Sequence, residues 1–99
     1  MNEANRLEEA LGMLECASFP AVVAASDAML KSYTVELLGF ESIGNGLITA
    51  KIWGDVEQVQ KAIELGVEIA EQVGQVISLH VVASPHPSLK RVLQKGEIR

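Results

Sequence analysis

Apolar periodicity along this chain of 99 residues switches back and forth between the two-residue repeat of a strand and the 3.6-residue repeat of a helix. The order of those switches is what most limits the fold. Ala10 to Glu15 is a short apolar run that predicts a first strand, and Gly12 within it predicts close approach by a neighbouring backbone. Ser18 then stands as a helix N-cap, with Pro20 in the first turn, where a missing N–H costs nothing. Val22, Val23, Ala25, Ser26, Met29 and Leu30 follow at helical spacing, and Lys31 falls in the last turn, where a cation suits the helix dipole. Nearly every residue from Ala21 to Ala28 is small, so this helix can lie close to a sheet or to another copy of itself.

Tyr33 to Phe40 is rich in β-formers and predicts the second strand; Leu47 to Trp53 predicts a third, paired with it as a hairpin. Between them, Ser42-Ile43-Gly44-Asn45-Gly46 is turn material, and its Asn-Gly is a strong hairpin signal. Gly54-Asp55 closes the third strand, with Asp55 as the cap of a second helix. Val56, Val59, Ala62, Ile63, Gly66, Val67, Ala70 and Val73 recur along that helix at helical spacing, and Gly74 ends it at the C′ position. Val76 to Ala83 predicts a fourth strand. Pro85-His86-Pro87 breaks it, Ser88 to Leu93 predicts a short closing helix, and Lys95 to Arg99 reads as a charged tail. Strand, helix, strand, strand, helix, strand is a split βαβ, ferredoxin-like α+β order: four antiparallel strands, two main helices and a short C-terminal helix. That order alone says little about function.

Length allows one domain, and a domain this small gains stability from self-association. The net charge of −5 argues against nucleic acid, which needs clustered Lys and Arg, and against an anionic membrane surface. No apolar run approaches the ~20 residues of a membrane-spanning helix, and Met1 to Glu9 shows no signal-peptide core. The single cysteine, Cys16, has no internal disulfide partner; it reads as a small core residue in a reducing cytosol.

Chemistry is sparse. His80 falls inside the fourth strand and His86 in a Pro-flanked loop, neither in a spacing typical of a metal site. Gly44-Asn45-Gly46 lacks the Lys-Ser/Thr of a phosphate-binding loop and leads into a strand. The second helix carries Glu57, Glu64, Glu68 and Glu71, which read as its solvated face. No nucleophile–base pair or carboxylate pair stands out, so the residues predict a non-enzyme with no cofactor and no metal.

Several blocks in order carry a resemblance. Glu9-Ala10-Leu11-Gly12-Met13-Leu14-Glu15, Ala25-Ser26-Asp27-Ala28-Met29-Leu30-Lys31 and Val35-Glu36-Leu37-Leu38-Gly39-Phe40-Glu41 are three of them. Ile43-Gly44-Asn45-Gly46-Leu47, Gly54-Asp55-Val56, Ser78-Leu79-His80-Val81-Val82 and Pro85-His86 follow at matching spacings. Together they resemble the single-domain, hexameric shell proteins of bacterial microcompartments, of both carboxysome and metabolosome types. The resemblance covers residues 9–94, leaving 1–8 as an N-terminal extension and 95–99 as a tail.

The resemblance implies a homohexamer, located in the shell of a compartment in the bacterial cytoplasm, that tiles with other shell proteins and faces encapsulated enzymes. It implies that Ser42, Ile43, Gly44, Asn45 and Gly46 line a central pore for small polar metabolites, and that Lys31, Ser84 and His86 lie at hexamer edges. Four departures stand out: Ser84 replaces an arginine before Pro85-His86, Asn45 replaces a serine and Ser42 a lysine at the pore, and Trp53 replaces an arginine. The Trp53 ring is expected to be covered by a neighbouring subunit or to form an exposed patch. The alternative function for this fold is a trimeric small-molecule or nucleotide sensor.

Overall fold

The computed structural model describes residues 8–42 and 44–84. Its elements are β1 (Glu9–Cys16), α1 (Phe19–Ser32), β2 (Val35–Glu41), β3 (Ile48–Asp55), α2 (Val56–Glu71) and β4 (Val76–Ser84). The expected order is present. The strands form one sheet in the order β2-β3-β1-β4, and every neighbouring pair is antiparallel. The short helix expected at Ser88 to Leu93 lies outside the described residues.

Both helices start where their caps place them. The Ala21 N–H donates to Ser18 Oγ at 3.3 Å, and the Glu57 N–H donates to Asp55 Oδ2 at 3.1 Å. Helix α1 ends one residue before Tyr33, whose N–H closes the last turn on the Met29 carbonyl at 3.0 Å. Tyr33 is therefore a helix cap, and β2 begins at Val35, two residues later than expected. At the other boundary β3 runs through Gly54 and Asp55, because these pair with Ala10 and Glu9 of β1.

Both helices cover one face of the sheet. Ala10, Leu14 and Cys16 of β1 and Ala50 and Ile52 of β3 point into the layer between, where they meet Ala21, Val22, Ala25 and Met29 of α1 and Val59, Ala62, Ile63 and Ala70 of α2. Small residues set the spacing. A Cβ on Gly12 would meet Val59 Cγ1 at 2.7 Å, Ile52 Cγ1 at 3.0 Å and Ile63 Cγ1 at 3.1 Å. The close approach expected at Gly12 is thus made by branched side chains of α2 and β3, not by backbone.

Gly74 also differs from expectation. The cap of α2 is Gln72, in right-handed backbone, and Gly74 is not among the positive-φ glycines. Its role is room: a Cβ there would meet Ser18 Cβ at 2.9 Å and Ala21 Cβ at 3.3 Å. Trp53, expected either to be covered by a neighbouring subunit or to form an exposed patch, is 2% exposed in the single chain.

Gly12→Ala should lower stability in urea unfolding by about 1–3 kcal/mol, because β-branched Val59 and the flanking isoleucines have little freedom to withdraw. Gly66→Ala should cost less, within about 1 kcal/mol of neutral, since its contacts are the flexible Met29 thioether at 2.8 Å and Leu14, and alanine favours the helix.

Candidate functional site

The β2–β3 turn stands at one end of the sheet. Glu41 and Thr49 are the last paired residues before it. The Lys51 ammonium lies 3.6 Å from the Glu41 carboxylate and ties the two strands together at its base. Gly44, Asn45 and Gly46 have φ values of 99°, 64° and 76°, and the Leu47 N–H returns to the Gly44 carbonyl at 3.4 Å. Asn45 and Gly46 thus hold the consecutive left-handed conformations that match the twist of a hairpin. A Cβ placed on Gly44 or Gly46 would meet nothing within 4 Å, so these glycines serve conformation and not packing. Ser42, Asn45 and Gly44 are exposed, and the turn projects free of the domain. Ile43 lies outside the described residues.

Strand directions put the other expected site residues at the opposite end. Helix α1 begins near the turn, where the Phe19 and Phe40 rings meet edge to face with centroids 5.8 Å apart, and carries Lys31 to the far end. Lys31 is exposed and ion-paired with Asp27, one helical turn earlier, at 3.1 Å. Ser84 ends β4 opposite Glu9, which itself pairs with Asp55. Lys31 and Ser84 therefore share the end remote from the turn. His86 lies outside the described residues.

That same end holds a cleft of about 370 Å³, lined by Glu9, Thr34, Glu36, Trp53, Asp55 and Gln58 among others. The Thr34 N–H donates to Gln58 Oε1 across it at 2.8 Å. Every charged residue lining it is acidic. The Trp53 indole N–H is buried and has no hydrogen-bond partner among the described residues. Periodicity missed this corner because its residues come from three strands and a helix; the signal available in advance was Trp53 itself, a large side chain next to a strand-ending glycine.

Groups with acid–base or nucleophilic potential are scattered. His80 is exposed on β4, opposite Met13. Cys16 is buried, and that burial, with the charge of Glu15 beside it, pushes its thiol pKa up. Among the described residues no cluster of three or more His, Cys, Asp and Glu side chains could hold a metal ion, and none of their helices is long and apolar enough to cross a membrane.

Two outcomes follow from this geometry. Asn45→Val should cost about 1–2 kcal/mol in urea unfolding, through strain alone, because a β-branched residue resists the left-handed region. Cys16 should resist thiol reagents in the native state. Because the fold favours its neutral form, stability should be full below the ordinary thiol pKa and fall as pH rises through it toward the raised folded value, readable as a declining urea midpoint between about pH 7 and 10 in wild type and a flatter profile in Cys16→Ala.

Known proteins supply the context for these features. The family model described as the BMC domain matches residues 10–85. The chain is 49% identical over 86 residues to the carboxysome shell protein CcmK1 of Thermosynechococcus vestitus, covering 85% of this chain and 76% of that one. It is 44% identical over 89 residues to the bacterial microcompartment shell protein PduA of Citrobacter freundii, covering 90% and 96%. Among solved structures, a microcompartment protein from Desulfitobacterium hafniense superposes with a TM-score of 0.77 at 28% identity, over 88% of this chain and 47% of that one. The ordered motif blocks, the split βαβ sheet and the match across residues 10–85 agree, and the chain belongs to the BMC domain family.

Proposed function

We propose that this chain is a shell subunit of a bacterial microcompartment in the bacterial cytoplasm, assembling as a cyclic homohexamer that tiles edge to edge around a central pore. The observation that carries the reading is the free-standing Gly44-Asn45-Gly46 turn in a member of the BMC domain family. Six copies of a turn can crowd round one axis only where the chain is nearly all backbone, and the two glycines supply that. Ser42, Ile43, Gly44, Asn45 and Gly46 would form the collar. Its backbone N–H groups, serine hydroxyls and asparagine amides offer hydrogen bonds without charge to small polar metabolites.

Ring closure needs two different, complementary surfaces on one subunit. Exposed apolar side chains support such a contact because they gather at opposite sheet edges: Phe19, Val23, Leu30 and Phe40 beside β2, and Ile77, Leu79 and Val82 on β4. Strand β4 is a nine-residue edge strand with no Lys, Glu or Pro to discourage pairing, a pattern that calls for cover. Lys31, Ser84 and His86 are assigned to the outer rim, where tiles meet one another and other shell proteins. The tile itself is a barrier and conduit that does no catalysis, and encapsulated enzymes lie behind it. The alternative of a nucleotide-sensing trimer gains nothing from the cleft, whose Glu9, Glu36 and Asp55 carboxylates repel phosphate.

Negative-stain images of concentrated protein should show ordered sheets or tubes. Lys31→Ala should abolish or reduce them by removing an exposed rim charge while leaving the ring intact; unchanged sheets would remove Lys31 from the rim. Asn45→Phe should preserve the ring but lower metabolite leakage from assembled shells about tenfold or more, since six phenyl rings would fill a backbone-lined opening; undiminished leakage would place the pore elsewhere.

A further inference from the structure

Alternation along a strand assigns successive side chains to opposite faces of the sheet. Ala50 and Ile52 of β3 lie in the core beneath the helices, so Thr49 and Lys51 belong to the helix-free face. Cross-strand pairing then sets two rows there. The row nearest the β2–β3 turn is Ser78, Glu15, Thr49 and Glu41, because Glu15 pairs with both Ser78 and Thr49, and Thr49 pairs with Glu41. One row back stand His80, Met13, Lys51 and Gly39. Both rows are set by backbone pairing alone, whatever else lies over the face.

The two rows differ in charge. Both carboxylates, Glu15 and Glu41, stand in the front row, whereas Lys51 starts from the row behind, with its backbone about 7 Å further from the turn. Glu15 accepts a hydrogen bond from the Ser78 hydroxyl at 3.1 Å. Lys51 reaches forward to 3.6 Å from the Glu41 carboxylate, beyond hydrogen-bond length. The partners are unequally open: the Glu41 side chain is 49% exposed and that of Lys51 16%. The charge that solvent meets at the base of the turn is therefore the carboxylate. The turn itself supplies no cation, since Ser42, Ile43, Gly44, Asn45 and Gly46 are all uncharged. The other described lysines are distant, Lys31 at the remote end of α1 and Lys61 on α2.

We infer that Glu41 is a specificity-determining residue of the pore, which it sets to pass cations and uncharged polar solutes in preference to anions. The inference rests on the ring and pore proposed above. Six turns about one axis bring six Glu41 carboxylates into a ring behind the uncharged collar, and rings of Glu or Asp are how cation-selective openings are built. Glu41 lies four residues from Asn45 at the turn, at most about 14 Å of extended chain and less in a folded turn. That is comparable to the Debye length of roughly 10 Å at 0.1 M salt, so the six charges act together on a solute in the opening. Lys51 is a positioning residue: it holds the carboxylate at the base of the turn and offsets part of its field. Small amines and polyols fit this opening, whereas phosphate esters and carboxylates are opposed by it.

Ion selectivity reads this directly, as the K⁺-to-Cl⁻ permeability ratio of full-chain rings seated in a planar bilayer under a KCl gradient. Near 0.1 M salt the natural ring should favour K⁺ about fivefold or more, and the preference should fade toward one near 1 M, where the Debye length is about 3 Å. Glu41→Gln, an exposed and nearly isosteric change, should bring the ratio at low salt to about one, and Lys51→Gln should raise it about twofold. Should Glu41→Gln fail to form rings, Glu41→Lys, expected to reverse the preference, and the salt dependence of the natural ring carry the test. A natural ring without cation preference would overturn the role of Glu41, as would a preference that survives Glu41→Gln or ignores salt. Native mass on the same samples separates the two levels. A hexamer that conducts without preference removes Glu41 from the pore and leaves the ring standing. A hexamer that passes neither ion, or the absence of a hexamer, overturns the pore and this inference with it.

Discussion

Everything in this domain depends on the close seating of α2 on β1 at Gly12. The missing side chain lets Val59 and Ile63 descend between the strands, and it leaves no slack for even one methyl group. Gly66 repeats the device between the helices and the sheet by making room for Met29 and Leu14. A helix held this near a sheet brings α1 with it, through alanines at 21 and 25 that meet Ala62 and Ala70 in one core. The result is a thin layer in which small residues let Leu14, Met29, Ile52 and Ile63 pack closely, with further large apolar side chains exposed at the edges.

That thinness shapes what the domain can do. The core packs Leu14, Met29 and Ile52 closely among alanines and valines, and the acid–base groups of the described residues are dispersed over separate surfaces. What the scaffold holds firmly is a pair of ends. One carries a hairpin turn in left-handed backbone, braced at its base by Lys51 and Glu41. The other carries Lys31, Ser84 and the acidic corner around Trp53. Apolar edges lie between these ends, on β4 and beside β2. A subunit that is featureless inside and distinct at its ends and edges is suited to assembly.

Much of this was legible in the sequence where a local rule operates. Ser18 and Asp55 cap their helices because a short oxygen-bearing side chain meets an unsatisfied N–H, and Asn45-Gly46 turns because few other pairs accept two left-handed residues. The misreadings came where tertiary contact decides. Gly74 resembles a helix stop by position, yet it is glycine to clear Ser18. Tyr33 has the composition of a strand and the hydrogen bond of a cap. Trp53 resembles an exposed ring awaiting a partner, but only the register, which aligns it with Leu11 and Glu36, shows that it belongs to a shared corner. Ring, pore and rim roles come from likeness to a family, because they are properties of several copies and leave little trace in one.

The central claim is therefore one of assembly, and the mass of the native particle tests it most directly. Six copies of 10.6 kDa give about 64 kDa. Native mass spectrometry at micromolar concentration should show that particle as the dominant species. A monomer at 10.6 kDa, or a stable trimer of about 32 kDa, would contradict the ring and with it the pore assigned to Ser42 through Gly46.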